Sequence, residues 1–311
     1  GLLAFVIPIG IGLVTNMMLL KYSLVTSILL ASMYASHTLV AYPIVIRYGV
    51  SRHRSVSIAV GGTAVTDTLT LLVLAVVGGL FKGESGGLFW LWLVVKVIFL
   101  GALIMYSFPR IGRWFFRRYD DNVMQFIFVL AMVFLGAGLM EFVGMEGILG
   151  AFLAGLVLNR LIPHVSPLMN HLEFVGNALF IPYFLIGVGM LIDIHVIFGQ
   201  GDALKVAAVM IVVALVGKWI ASWLTQKIYK MAPIERELMF GLSNAQAAAT
   251  LAAVLVGYNI ILPNGERLLN EDVLNGTVLL ILVTCVVSSF ITERAARKIA
   301  MCEAHLEEER T

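Results

Sequence analysis

The stretch Gly61-Gly62-Thr63-Ala64-Val65-Thr66-Asp67-Thr68-Leu69-Thr70, followed by Leu71-Leu72-Val73-Leu74-Ala75-Val76-Val77, decides the class of this protein. A carboxylate stands in the middle of a run long and apolar enough to cross a bilayer. Ionised, it costs several kcal/mol there unless it is paired, hydrated or protonated. Asp67 therefore reads first as an ion or proton site. The bland alternative is a protonated Asp tying two helices together. The hydroxyls of Thr63, Thr66, Thr68 and Thr70 favour the first reading, because they can line a wet cavity and supply hard oxygen ligands to a small cation.

The rest of the 311-residue chain agrees. Its residues are 60% hydrophobic and 13% charged, with a mean hydropathy of +0.97, against about 45–50% and about 25% in soluble domains. A membrane helix needs about 20 apolar residues. Runs of that kind fall at 2–20, 24–46, 55–81, 88–107, 122–143, 145–160, 172–191, 204–226, 237–260 and 272–292. They predict an all-α polytopic membrane protein with ten spans. A soluble enzyme, a nucleic-acid-binding domain and a disordered chain are excluded. The net charge of +2 gives no footprint for a polyanion. Cys285 and Cys302 form neither a disulfide framework nor a metal spacing. No His-Glu-x-x-His or Gly-x-Ser-x-Gly pattern offers hydrolase chemistry. No cofactor and no nucleic-acid partner is expected.

Charge orients the spans. With the loop after the second span in the cytoplasm, fifteen of the 21 Lys and Arg residues fall inside. Only Lys21, Lys82, Lys205 and Arg267 fall outside, and Lys96 and Lys218 lie within spans. That is a strong positive-inside bias. It predicts a multi-pass membrane protein with a cytoplasmic C-terminal tail; the membrane expected is a bacterial inner (plasma) membrane. Lys218 has two readings: an ammonium that snorkels to the cytoplasmic side, or a cation near the carboxylate that moves its proton affinity. Lys96 reads as structural. Glu141 and Glu146 read as interfacial, and Glu173, Asp193 and Asp202 as solvated or capping.

Two spans look interrupted. The second contains Ala35-Ser36-His37-Thr38, then Pro43. Proline removes a donor and disfavours helix in the residue before it. The ninth contains the polar island Gly241-Leu242-Ser243-Asn244-Ala245-Gln246. Broken helices survive at membrane depth only where they line a cavity or bury in protein, and in carriers they form ion sites. Spans one to three carry an interrupted helix beside the Asp67 helix, and spans eight to ten carry one beside the Lys218 helix. The charge count places these triplets in opposite orientations, as in inverted-repeat carriers.

Four stretches now resemble one family, the monovalent cation:proton antiporter superfamily, and most its antiporter-2 branch. Ala64-Val65-Thr66-Asp67 is similar to its transport-aspartate helix. Leu149-Gly150-Ala151-Phe152-Leu153-Ala154-Gly155-Leu156 resembles its Gly-Ala-Phe-Leu-Ala-Gly helix. Phe180-Ile181-Pro182-Tyr183-Phe184 to Met190 and Gly217-Lys218 match two more segments in order and spacing. The resemblance implies an inverted-repeat sodium/proton antiporter fold with two crossed broken helices, a core domain and a dimerisation domain. The organisation expected is a first triplet over 1–81, remaining core, linker and dimer-domain helices over 82–203, a second triplet over 204–292, and a charged tail over 293–311. Two or three N-terminal spans are expected to be missing, and the tail to lead to a regulatory domain.

The resemblance also implies the reaction: exchange of Na⁺, or K⁺, for H⁺ by alternating access in a homodimer. Asp67 would be the shared cation and proton carboxylate, and the monovalent cation there the only metal. Thr66, Ser36 and Thr38 would complete the ligand shell. His37, Asn244 and Gln246 would support the broken helices, and Lys218 would tune the proton affinity or pack. The sequence departs from the family pattern at Thr66, where electrogenic members carry a second Asp. One-for-one exchange follows, with Lys218 lacking its usual partner. The rival functions are a sodium-coupled organic-anion symporter of the bile-acid type and a non-transporting membrane sensor or scaffold.

Overall fold

The computed structural model describes residues 1–51, 53–82, 87–142, 147–163, 165–180, 182–183, 186, 190, 203–262 and 265–308. Among them the fold is helical, with an isolated bridge between Ile261 and Arg267 as the extended pairing. The helices are α1 (Leu2–Met18), α2 (Leu24–Ala35), α3 (Tyr42–Arg47), α4 (Arg54–Lys82), α5 (Gly87–Arg118), α6 (Asn122–Phe142), α7 (Gly147–Asn159) and α8 (Pro167–Val175). After a π turn at Gly176–Phe180 come α9 (Ala203–Tyr229), α10 (Pro233–Asn244), α11 (Ala248–Asn259) and α12 (Glu271–Glu308). Among the described residues, five stretches are long and apolar enough to cross a membrane alone: Arg54–Leu80, Asn122–Phe142, Leu204–Tyr229, Pro233–Asn259 and Glu271–Cys302. Leu2–Met18, Leu24–Ala35 and Gly147–Asn159 are apolar but shorter. The seventh predicted span and Glu146, Asp193 and Asp202 lie partly or wholly outside the described residues.

Both suspected interruptions are present, and local chemistry explains them. Ser23 caps α2 by accepting from the Thr26 N–H at 3.2 Å. The helix stops after Ala35, where Ser36 turns extended at φ −62°, ψ 154°. Pro43 then sits in the first turn of α3, where a missing N–H costs nothing. Pro233 opens α10 in the same way, and Glu235 accepts the Ala232 N–H at 2.7 Å. That helix stops after Asn244, with Ala245 extended at φ −65°, ψ 125°. α12 runs on through Glu293 to Glu308, past the predicted end of the tenth span. Its Glu, Arg, Lys and Ala residues are strong helix formers that need no apolar environment.

The chain forms two compact units. One holds the described residues of Gly1–Val73 and Ile192–Thr311, the other those of Leu74–Leu191. In the first, α1 packs on α2 and α9, α12 on α9 and α10, and α11 on α2 and α12. Glycine sets one close approach: a Cβ on Gly241 would stand 2.4 Å from Thr292 Oγ1. A buried apolar cluster, including Val45, Val56, Leu238, Leu242, Ala295 and Ile299, closes the end of this unit that carries the basic residues. In the second unit, α6 packs against α7 backbone to backbone. A Cβ on Gly150 would lie 1.9 Å from the Gly136 carbonyl oxygen, so small residues set the helix spacing, as is usual between membrane helices.

Candidate functional site

The site assembles on one face of α4. Thr63, Thr66, Asp67 and Thr70 recur at intervals of three and four residues, which places them along one side of a helix. Each meets the broken helix α2–α3 or its backbone. Thr70 donates to the Ser32 carbonyl at 3.0 Å. Asp67, half-buried, accepts from the Ser36 hydroxyl at 2.8 Å, and the His37 backbone reaches the same carboxylate. Thr66 donates to the Thr63 carbonyl at 3.0 Å and faces His37 Nδ1 at 3.3 Å. Thr63 lies 2.8 Å from His37 Nε2.

Lys218 enters from α9. It is fully buried, so it does not snorkel. Its ammonium donates to the Ala35 carbonyl and lies 3.1 Å from His37 Nδ1. Ala35 is the last residue of α2, so this carbonyl is one of the four that a helix end leaves without a partner. It also sits at the negative end of the helix dipole, where a cation is favoured. Lys218 and Asp67 are electrostatic neighbours, but no ion pair forms between them within 4.0 Å. Elsewhere in this unit His53 Nε2 stands 3.9 Å from a Glu235 carboxylate oxygen.

The second break mirrors the first. The Thr38 N–H donates to the Ala245 carbonyl at 2.8 Å, joining the two breaks where they cross. The Gln246 amide donates to the Tyr34 carbonyl at 3.2 Å, satisfying another end group of α2. Ser288 of α12 donates to the Gly241 carbonyl at 2.6 Å, three residues before α10 ends at Asn244. Thr70 of α4 donates to Ser32, three residues before α2 ends at Ala35. The backbone of the second residue past each break also meets the third helix of its triplet: His37 meets Asp67, and the Gln246 N–H donates to Thr284 Oγ1 at 3.1 Å. Asp67 and Thr284 thus hold equivalent places. An unpartnered buried carbonyl costs about 1–3 kcal/mol, so these hydroxyls and amides are what make the breaks tolerable.

A cavity of ≈370 Å³ reaches the crossing within this unit. Its lining includes His37, Ser222, Thr225 and Ser243, together with Ile58, Met239, Tyr229 and the first residues of α1. Arg54 stacks on Tyr229 there, 5.5 Å from the ring centroid.

Set beside known proteins, residues 1–298 match the model of the transmembrane sodium/hydrogen exchanger family. The chain belongs to that family. Within it, the Na⁺/H⁺ antiporter NhaS5 of Synechocystis is 38% identical over 96% of this chain and 43% of its own length. The "Probable Na(+)/H(+) antiporter 3" of Methanocaldococcus jannaschii is 27% identical over 86% of this chain and 69% of its own. The Na⁺/H⁺-K⁺ antiporter GerN of Bacillus cereus is 25% identical over 51% and 41%. The chain therefore spans less than half the length of the exchanger NhaS5. Its fold class, all-α and polytopic with crossed broken helices, is that of a sodium/hydrogen exchanger.

Among the residues singled out in the sequence, Asp67, Ser36, Thr66, His37 and Lys218 come together in one cluster. Thr38 enters through its backbone, and its hydroxyl is not seen on Asp67. Gln246 ties the crossing. Asn244 does not, because its buried amide has neither donor nor acceptor partner. Thr63 as a His37 contact and Ala35 as the Lys218 acceptor were not singled out. The spacing of Thr63, Thr66 and Thr70 on Asp67's face was the available signal for the first. Nothing local marks the second, since any carbonyl at a helix end looks alike in sequence.

Proposed function

We propose that this chain is the membrane part of an exchanger that swaps a monovalent cation, Na⁺ first and K⁺ second, for H⁺. The observation that carries this is the half-buried Asp67 held by Ser36 at the crossing of two broken helices, beside a buried ammonium. A carboxylate in that place binds a cation when ionised and carries a proton when neutral. It cannot do both, so the two loads compete and travel in opposite directions. The Ser36 and Thr66 hydroxyls, Thr38 and the carbonyls of the breaks supply the remaining oxygen ligands. The antiporter names of the relatives support exchange over symport or sensing, and the name of GerN supports K⁺ as a second cation.

Thr66 in place of a second carboxylate supports one H⁺ per cation, with Lys218 protonated at the end of each cycle. The positive-inside bias supports a bacterial inner-membrane protein with its basic end on the cytoplasmic side. A rigid-body shift of the core against a dimerisation domain in a homodimer exposes Asp67 to each side in turn, and a C-terminal domain beyond the charged tail regulates it. The test is ΔpH dequenching by the full-length protein in proteoliposomes across Na⁺, K⁺ and Li⁺. Recovery driven by Na⁺ or K⁺ is expected. A folded protein that moves protons with none of these cations overturns the proposal.

A further inference from the structure

The outward face of α12 changes character along its length. Leu282, Val286 and Phe290 are 59%, 63% and 70% exposed. The same ridge of residues four apart continues through Arg294 and Lys298, and Arg297 stands beside it, three residues past Arg294. All three basic residues are exposed. The opposite face, with Thr292, Ala295, Ala296 and Ile299, is buried. The apolar run at 272–292 covers about 30 Å of helix at about 1.5 Å per residue, which is the thickness of the hydrocarbon layer. The basic residues therefore begin where hydrocarbon gives way to headgroups. Together with Phe290, Glu293 and Met301 they line a groove of ≈360 Å³. Its carboxylate is engaged, because the Tyr48 hydroxyl donates to Glu293 at 3.4 Å. The groove thus sets three cations against one carboxylate, with an apolar ridge leading from it into the membrane.

We propose that this groove binds an anionic phospholipid, its phosphate on Arg294, Arg297 and Lys298 and an acyl chain along Phe290, Val286 and Leu282. A guanidinium presents paired N–H donors that match two phosphate oxygens. Two of them about one helical turn apart flank a single phosphodiester, and Lys298 adds a point charge. A choline lipid brings its own cation into the same groove, so charge selects the anionic class. Juxtamembrane Lys and Arg side chains are drawn to such lipids in the same way. The two halves of the ridge explain why the ligand is a lipid and not a free phosphate: the headgroup contacts lie at the end of an apolar track that only an acyl chain fills. The site is tied to the exchanger core. Ala295, Ala296 and Ile299, on the back of the same turns, pack with Leu238 and Leu242 of α10. Ser288, just below, donates to the Gly241 carbonyl near the α10 break. A bound lipid thus holds the end of α12 that supports this break.

The test is a titration of the full-length protein, purified in a neutral detergent, with dioleoyl phosphatidylglycerol, read as the rise in thermal midpoint. The lipid concentration at half the rise gives the apparent affinity. Each Lys or Arg near an anionic lipid contributes about fivefold, so changing Arg294, Arg297 and Lys298 together to Gln is expected to weaken the response by about 100-fold. Arg297→Gln alone, expected to weaken it about fivefold, serves if the triple variant does not fold. Changing Arg113, Arg117 and Arg118 of α5, which are also exposed, to Gln is expected to leave the response at the wild-type value. Dioleoyl phosphatidylcholine and inorganic phosphate are expected to give no rise. Four results each overturn the proposal: no response of the wild-type protein to phosphatidylglycerol, a wild-type response in the folded α12 variants, an equal loss in the α5 variant, which means only general attraction of basic residues, and a rise with phosphatidylcholine or inorganic phosphate as large as with phosphatidylglycerol.

Discussion

Replacing Asp67 by Asn removes a charge and a titratable group while keeping the shape. The structure allows the size of the effect to be worked out. Asn presents an oxygen where Oδ1 stands, so the 2.8 Å bond from Ser36 survives. Neither Lys218 contact involves Asp67, so the ammonium keeps both the Ala35 carbonyl and His37. The fold should therefore change little, within the ±0.5 kcal/mol or so typical of substitutions that leave packing and hydrogen bonds in place. Transport is different. A unit charge about 4 Å from a carboxylate is held by about 4 kcal/mol at an effective dielectric near 20. Losing half of that after solvent compensation, about 2 kcal/mol, weakens cation binding about thirty-fold. The proton load falls to zero, because an amide does not titrate in the working range. Cation-dependent dequenching in proteoliposomes should drop to the empty-liposome background, while the thermal midpoint in detergent stays near wild type. Proton movement by the folded Asp67→Asn protein at near the wild-type rate would refute the central role of this carboxylate.

Three further outcomes are expected. If proton and cation share one carboxylate, the apparent KM for Na⁺ rises as pH falls on the acidic arm of the activity profile, approaching about tenfold per pH unit, since the two bindings are reciprocally linked; a flat KM contradicts single-site competition. One-for-one exchange has a balance point set by the two concentration ratios alone, so a reversal measurement at clamped voltage that moves with membrane potential shows the Thr66 inference to be wrong. Gly150→Ala puts a methyl 1.9 Å from the Gly136 carbonyl oxygen, so α6 and α7 must separate at a cost of about 1–3 kcal/mol; a thermal midpoint equal to wild type would mean that the two helices are not held at this distance.

The class, most of the described helices and both interruptions were legible from the sequence because each rests on local physics. A run of about 20 apolar residues spans a bilayer wherever it occurs. Pro43, Pro233 and the polar islands at Ser36–Thr38 and Ser243–Gln246 weaken the helix in which they stand. Asp67 stood out because a lone carboxylate in an apolar run is costly in any fold. What tertiary structure alone decided is which partner satisfies which group. Lys218 is about 150 residues from Asp67 in the chain, and its ammonium binds the orphan carbonyl of Ala35 and the ring of His37. Sequence chemistry allowed snorkelling just as well. Asn244 and Gln246 belong to the same polar island, yet only Gln246 reaches across to Tyr34. Such choices depend on the crossing of two helices from distant parts of the chain, and hydrogen bonds a few ångströms long register that crossing where residue types and spacings do not.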